Sequence, residues 1–208
     1  MSSFARARER LQALPLFMCG FRPFFLLAAA AAVAGMVLLL GAWSGLLPVP
    51  AALPGGLVTW HAHELIYGFG MAGVTGFLLT AVPEFTGSAP FTPRVTLTLV
   101  ALWLAARLSW LAASLLPALL LPFNLALDGA LLALVAPRLW RDPLRRHLGF
   151  AVALALLTLL HAGFFAALLG GGRPLAWLHA AVGAMACLVI VATSRISMSV
   201  VNGLMEAG

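Results

Sequence analysis

The chain has 208 residues, of which 63% are hydrophobic and 9% are charged, and its formal net charge is +6. Soluble domains average about 25% charged residues, so this composition predicts an integral membrane protein whose first partner is the lipid bilayer. The mean hydropathy of +1.07 agrees with that prediction. All twelve basic residues are arginines, mostly at segment ends, and they form no basic face that follows a phosphate backbone. No nucleic-acid partner is expected.

Continuous apolar runs follow one another along the chain, separated by segments rich in proline, glycine and arginine. Continuous apolar runs of about 18–22 residues are typical of membrane-spanning helices, whereas barrel strands are shorter, about 10 residues, and alternate in polarity. We therefore predict an all-α fold, a polytopic transmembrane helical bundle of about six spans in a single domain over residues 1–208. The predicted spans cover about 24–42, 58–82, 94–116, 119–136, 149–169 and 175–193.

The arginines are distributed unevenly between the two sides of this predicted bundle. The N-terminal segment and the second and fourth loops carry most of them, and the basic loop at 137–148 is the richest. The loops on the opposite side carry only Arg173. Because cytoplasmic loops are enriched in arginine and lysine, both termini are predicted to be cytoplasmic, in a multi-pass protein of the bacterial inner (cell) membrane.

The segment Trp60-His61-Ala62-His63-Glu64 opens the second apolar run. Imidazoles and a carboxylate are costly in hydrocarbon, so their presence at a span indicates a functional site. Small residues four apart, among them Gly68 and Gly76, follow in the same run and predict close helix packing.

Four of the five histidines are predicted to lie in the outer half of the bundle, namely His61, His63, His161 and His179. Neutral imidazole is the commonest protein ligand for metals and also binds haem iron. On a regular helix His61 and His63 point about 200° apart, so both bind one ion only if the helix start is unwound. His61 and Glu64 share a face, so Glu64 either orients the His61 ring or binds metal itself.

Arg107 and Asp128 are predicted at nearly the same depth on consecutive spans. An unpaired charge at that depth is costly, so we expect the two to form an ion pair. The alternative is that Arg107 contacts an anionic group such as a haem propionate. Asn124, one turn before Asp128, shares its face.

Several strings along the chain resemble the NnrS family: Gly20-Phe21-Arg22-Pro23-Phe24-Phe25, Trp60-His61-Ala62-His63-Glu64, and the run from Gly76 to Pro83 with Thr86-Gly87 after it. The resemblance implies an inner-membrane protein of the bacterial response to nitric oxide (nitrosative stress) that contains haem b and copper. It makes His61, His63 and Glu64 the leading ligand candidates, supported by His161 and His179.

This chain departs from the family pattern at Glu84-Phe85, where the family has Asn-Trp, and in having about six spans where members have about a dozen. A homodimer that completes a longer bundle is therefore one hypothesis. The candidate residues for cofactor binding are His61, His63, Glu64, His161, His179 and Arg107, and those for metal are His61, His63, His161 and His179.

The predicted function is haem and copper binding near the periplasmic face, in the response to nitric oxide. Two other functions use the same embedded residues: a transporter or channel for a small solute or metal ion, and an assembly factor that passes haem or copper to a partner. Whether the protein is an enzyme stays open, because no acid–base pair or nucleophile is spaced for chemistry independent of a metal.

Overall fold

The computed structural model describes residues 13–48 and 53–207, with side chains as far as residue 198. Throughout these residues the secondary structure is helical and no strand occurs. The helices are α1 (Phe21–Trp43), α2 (Gly56–His63), a π-helical segment (Glu64–Gly70), α3 (Met71–Thr86), α4 (Pro93–Ser109), α5 (Leu120–Arg141), α6 (Leu148–Leu169) and α7 (Pro174–Ala207). Short 3-10 turns lie at Pro15–Phe17 and Pro117–Leu119.

Five helices in the described part of the chain are long and apolar enough to cross a membrane: Phe21–Trp43, Gly56–Thr86, Pro117–Arg141, Leu148–Leu169 and Pro174–Met198. The predicted all-α fold is therefore confirmed as an all-helical, membrane-type bundle. The count of six spans and the cytoplasmic placement of both termini stay predictions.

The predicted span at 94–116 differs most from the structure, because α4 ends at Ser109 after 17 residues. The amides of the next residues, Leu111 and Ala112, bond to carbonyls three positions back rather than four. This tightening turns the chain out of the α-helix before Leu116. The last helix, in contrast, is longer than its predicted span, because α7 continues beyond the predicted end at 193.

The continuous helix formed by α2, the π-helical segment and α3 lies at the centre of the bundle. Its apolar window is 61% buried, compared with 17% for α1, so this helix is covered by neighbours on most of its surface. Gly76 allows α1 to approach closely, because a Cβ there would lie 2.9 Å from that of Phe24. The helix continues past the predicted end at 82 and through Pro83, and it ends at Thr86, after which Gly87 has a φ of +60°. The histidine-rich motif therefore lies near the start of the most buried of the five candidate spans in the described residues.

Candidate functional site

His63 is the last residue of α2 and is completely buried, with 0% of its surface exposed. Its Nδ1 lies 3.0 Å from Oε1 of Glu64, the first residue of the π-helical segment. Consecutive side chains on a regular α-helix point about 100° apart. The contact between His63 and Glu64 lies where the α-helix changes to π geometry. Single-turn π segments in α-helices are frequently found at functional sites.

His161, on α6, faces His63 across the bundle and is 1% exposed. The two Nε2 atoms are 2.9 Å apart, and Nδ1 of His161 lies 2.7 Å from Oδ2 of Asp128 on α5. Each imidazole therefore has a carboxylate at its Nδ1 and the other imidazole at its Nε2. This is the arrangement in which a carboxylate fixes the ring orientation of a ligating histidine.

Three contacts link these side chains in a row: Glu64 to His63, His63 to His161, and His161 to Asp128. Each contact needs one hydrogen between its two heavy atoms, whereas two neutral imidazoles with ionised carboxylates supply only two. The row is therefore complete only when it holds one further cation. That cation is either a third proton or a metal ion at the two Nε2 atoms.

Arg107 extends this row through Glu64. Its NH1 lies 2.9 Å from Oε2 of Glu64, and its NH2 donates to Oδ1 of Asn124 at 2.9 Å. Gly68 leaves space for the ion pair, because a Cβ there would lie 2.6 Å from NH1 of Arg107 and 2.7 Å from Oε2 of Glu64. We name the connected set Arg107, Glu64, His63, His161 and Asp128 the histidine–carboxylate chain.

The predicted ion pair between Arg107 and Asp128 is wrong. Asp128 is buried and Arg107 is partly buried, but α5 presents Asn124 to Arg107 and Asp128 to His161. The carboxylate that Arg107 contacts is Glu64, which comes from the central helix. The rise along a helix gives the depth of a residue and leaves its direction undetermined, so equal depth did not imply contact.

Aromatic rings enclose the histidine pair. The ring of Tyr67 stacks on His161 with centroids 3.6 Å apart, and its hydroxyl donates to the carbonyl of Leu157 at 3.1 Å. Phe164 stacks on His63 at 4.9 Å, and Trp110 meets the same ring edge-on at 5.1 Å. Sequence reasoning passed over Tyr67, although it is the chain's single tyrosine and lies one helical turn after His63.

His61 and His179, the other two predicted ligands, lie outside the histidine–carboxylate chain. His61 is partly buried, and its Nδ1 has no hydrogen-bond partner among the described residues. Glu64 contacts His63, so the expectation that Glu64 orients the His61 ring is wrong. His147, the fifth histidine, lies between α5 and α6 and stacks on Phe85, and burial lowers its pKa.

His179 is exposed on α7 and borders a cavity of about 500 Å³. Thr59 and Arg173 also line this cavity, and the remaining lining residues are Gly55, Pro174, Leu175 and Ala176. We name it the His179 cavity. The structure therefore separates the four predicted histidines into a closed pair, one partly buried ring and one ring at an open cavity.

The donor atoms at the histidine pair are imidazole nitrogens, a ligand type that small transition-metal ions bind. The two Nε2 atoms face each other, and both Nδ1 atoms are occupied by carboxylates, so the pair offers two nitrogen ligands. Among the residues that the structure describes, no group of three or more His, Cys, Asp or Glu side chains is placed to hold a metal ion. A porphyrin does not fit here, because the rings of Phe164 and Trp110 pack directly against His63.

Fold and site together define a helical membrane-type protein with a buried row of histidines and carboxylates. The model of one protein family, described as NnrS protein, matches residues 15–208. The chain therefore belongs to the NnrS family, as its sequence motifs indicated. No curated protein matches the chain, and no solved structure matches it.

Proposed function

We propose that this protein holds a copper ion between His63 and His161 in the bacterial inner membrane and takes part in the response to nitric oxide. Family membership supports the nitric oxide response and the membrane location. The main observation in support of the proposed metal site is that the two Nε2 atoms face each other, each on a ring whose Nδ1 contacts a carboxylate. Imidazole is a ligand well suited to copper.

Accommodating the ion requires a small separation of the two rings. Imidazole nitrogens bind an ion such as zinc at about 2.0–2.1 Å, so an ion held by both would need the two Nε2 atoms roughly an ångström farther apart than the observed 2.9 Å. The rings belong to different helices, the central helix and α6, so a slight displacement of one helix provides it. If the central helix moves, both contacts at Nδ1 are kept, because Glu64 moves with His63 on that helix and the contact between Asp128 on α5 and His161 on α6 is not disturbed.

The protein's own residues have three separate tasks at this site. His63 and His161 supply the nitrogen ligands, and Glu64 and Asp128 keep the protons on Nδ1 so that the Nε2 lone pairs face inward. The rings of Tyr67 and its aromatic neighbours exclude water. A bound copper ion would supply one-electron chemistry and an open position for a small ligand such as nitric oxide.

Haem b, the second cofactor that the family resemblance implies, belongs in this proposal at the His179 cavity rather than at the histidine pair. His179 would hold the haem iron through its imidazole. Arg173, in the same cavity lining, offers a cation for a propionate. Pro174, Leu175 and Ala176 supply an apolar wall. This arrangement gives copper and haem separate sites near the same end of the bundle.

Metal analysis and absorption spectroscopy of the purified full chain test this function. Wild-type protein expressed with ample copper and haem should contain both, and His63→Ala and His161→Ala should each lose most of the copper. His61→Ala is the matched control, since it removes a neighbouring imidazole that lies outside the pair and should leave the copper content unchanged. Copper that survives both substitutions in the pair contradicts the proposed site.

Dialysis and an uptake assay separate the alternatives. Copper that leaves the wild-type protein on simple dialysis would indicate an assembly factor. Copper-dependent ion uptake by proteoliposomes, with no stable bound metal, would indicate a transporter. Stable copper together with a haem absorption band supports the proposal.

A further inference from the structure

We infer that Arg107 determines the charge of the ion that the histidine pair prefers, selecting a monovalent over a divalent cation by acting through Glu64. The inference rests on the proposed metal site and goes beyond it, because it concerns which ion binds and names a residue that touches neither imidazole. Arg107 is in this sense a positioning and selectivity residue rather than a ligand.

The charge of the histidine–carboxylate chain follows from its hydrogen bonds. When an ion occupies the two Nε2 atoms, each Nδ1 must carry a hydrogen, so Glu64 and Asp128 both act as acceptors and are ionised. Two carboxylates and one guanidinium then give the chain a net charge of −1. A monovalent ion makes the site neutral, whereas a divalent ion leaves it with one uncompensated positive charge.

Burial makes this difference large. His63 and His161 are almost completely enclosed, and the side chains of Glu64 and Arg107 are only 13% and 15% exposed. An uncompensated charge in such an environment is strongly unfavourable, because little water is present to screen it. The ion pair at 2.9 Å between Arg107 and Glu64 therefore cancels one carboxylate that would otherwise attract a second positive charge.

The number of ligands agrees with this charge. Two facing imidazole nitrogens form a two-coordinate site, which monovalent copper and silver accept readily. Zinc prefers four ligands in a tetrahedron. Coordination number and charge are independent properties of the site, and both favour the monovalent ion.

Arg107 also has a structural role, since it joins α4 to α5 through Asn124 and to the central helix through Glu64. A purely structural role predicts that substitutions weaken all ions alike. Selectivity predicts that they change the ratio of two affinities. The test must therefore measure that ratio.

The experiment uses the purified full chain in detergent with silver(I) and zinc(II) as probes, neither of which changes oxidation state. Each dissociation constant is obtained by competition, and binding that persists in His63→Ala/His161→Ala is subtracted. Arg107→Gln should shift the affinity ratio toward zinc by on the order of tenfold or more, since a net charge of −2 favours the divalent ion. Arg107→Lys keeps the charge and should keep the ratio within about threefold.

Two further variants make the result independent of how well Arg107→Gln folds. Glu64→Gln brings the chain to zero net charge and should shift the ratio toward silver. The double variant Arg107→Gln/Glu64→Gln returns the net charge to −1 and should restore the wild-type ratio. This restoration is expected from charge and has no counterpart in a structural role.

The results that overturn the inference are distinct from those that overturn the function. If silver and zinc bind at the pair and both Arg107→Gln and Glu64→Gln keep the wild-type ratio, then Arg107 does not set selectivity and the metal site stands. If the wild-type protein binds neither ion beyond the His63→Ala/His161→Ala background, the metal site is wrong and the inference falls with it.

Discussion

The histidine pair and the His179 cavity contain the same kind of side chain at the same end of the bundle, yet their surroundings are opposite. His63 and His161 each have a carboxylate at Nδ1 and are closed in by aromatic rings. His179 is exposed beside a cavity of about 500 Å³ that also contains Arg173. The contrast shows that imidazoles at one end of the bundle can have opposite surroundings, and for this reason we propose a small buried ion for the pair and a larger ligand for the cavity.

The strongest way to break this contrast is to remove the carboxylate behind His161. Asp128→Ala leaves a buried Nδ1–H without an acceptor, and an unsatisfied buried donor costs about 1–3 kcal/mol, more where a charged partner is lost. We expect a lower thermal midpoint in detergent and at least a tenfold loss of copper affinity. Asp128→Asn preserves the shape and an acceptor oxygen, so it should fold better than the alanine variant. Unchanged copper affinity in Asp128→Ala would contradict the role given to this carboxylate.

A smaller effect is expected from filling the space beside the ion pair. The methyl group of Gly68→Ala would lie against Arg107 and Glu64 and should displace them, at a cost of about 1–3 kcal/mol in unfolding free energy. Gly73→Ala is the matched control, because a Cβ at that position has nothing within 4 Å. Thermal unfolding of the two variants measures the difference. Equal midpoints would mean that the ion pair adjusts without strain.

Tyr67→Phe tests whether the ring or the hydroxyl of this residue matters at the histidine pair, because it keeps the ring on His161 and removes only the hydroxyl. The lost hydrogen bond to the Leu157 carbonyl should cost about 1 kcal/mol. Copper content should stay at the wild-type level, since the stacked ring still excludes water. Loss of copper in this variant would assign the hydroxyl a part in ion binding that the geometry does not give it.

The smallest effect on stability is expected at the His179 cavity. His179→Ala removes an exposed side chain and should change the unfolding free energy by no more than about 0.5 kcal/mol. We expect it to abolish the haem absorption band while the copper content stays unchanged. Simultaneous loss of both cofactors would show that the two regions form one site.

The sequence identified most of the residues in the site, and it was less informative about their partners. The motif at 60–64 gave His63 and Glu64, and the cost of burying polar groups gave His161, Asp128 and Arg107. The contacts between these residues could not be predicted. Residue spacing determines the depth of a residue along a helix, whereas the packing of neighbouring helices determines which partner its side chain faces. This limit explains why only His63 and His161 meet among the four histidines predicted at similar depth, and why Arg107 was given the wrong partner.

The fold shows a similar division. Continuous apolar runs were sufficient to predict helices near their observed positions, since hydrophobic length is a property of the local sequence. The π geometry at Glu64–Gly70 was not predictable, because it depends on contacts that Glu64 and Gly68 make with other helices. The early end of α4 at Ser109 likewise occurs within an apolar run that carries no proline or glycine before Pro117.

X-ray absorption spectroscopy of the copper-loaded full chain tests the central claim most directly. We predict a monovalent copper ion whose inner coordination sphere consists of two imidazole nitrogens, and the loss of that signal in His161→Ala. A signal with sulfur ligands, or a copper spectrum that is identical in wild type and His161→Ala, would contradict the assignment of His63 and His161 as the copper site.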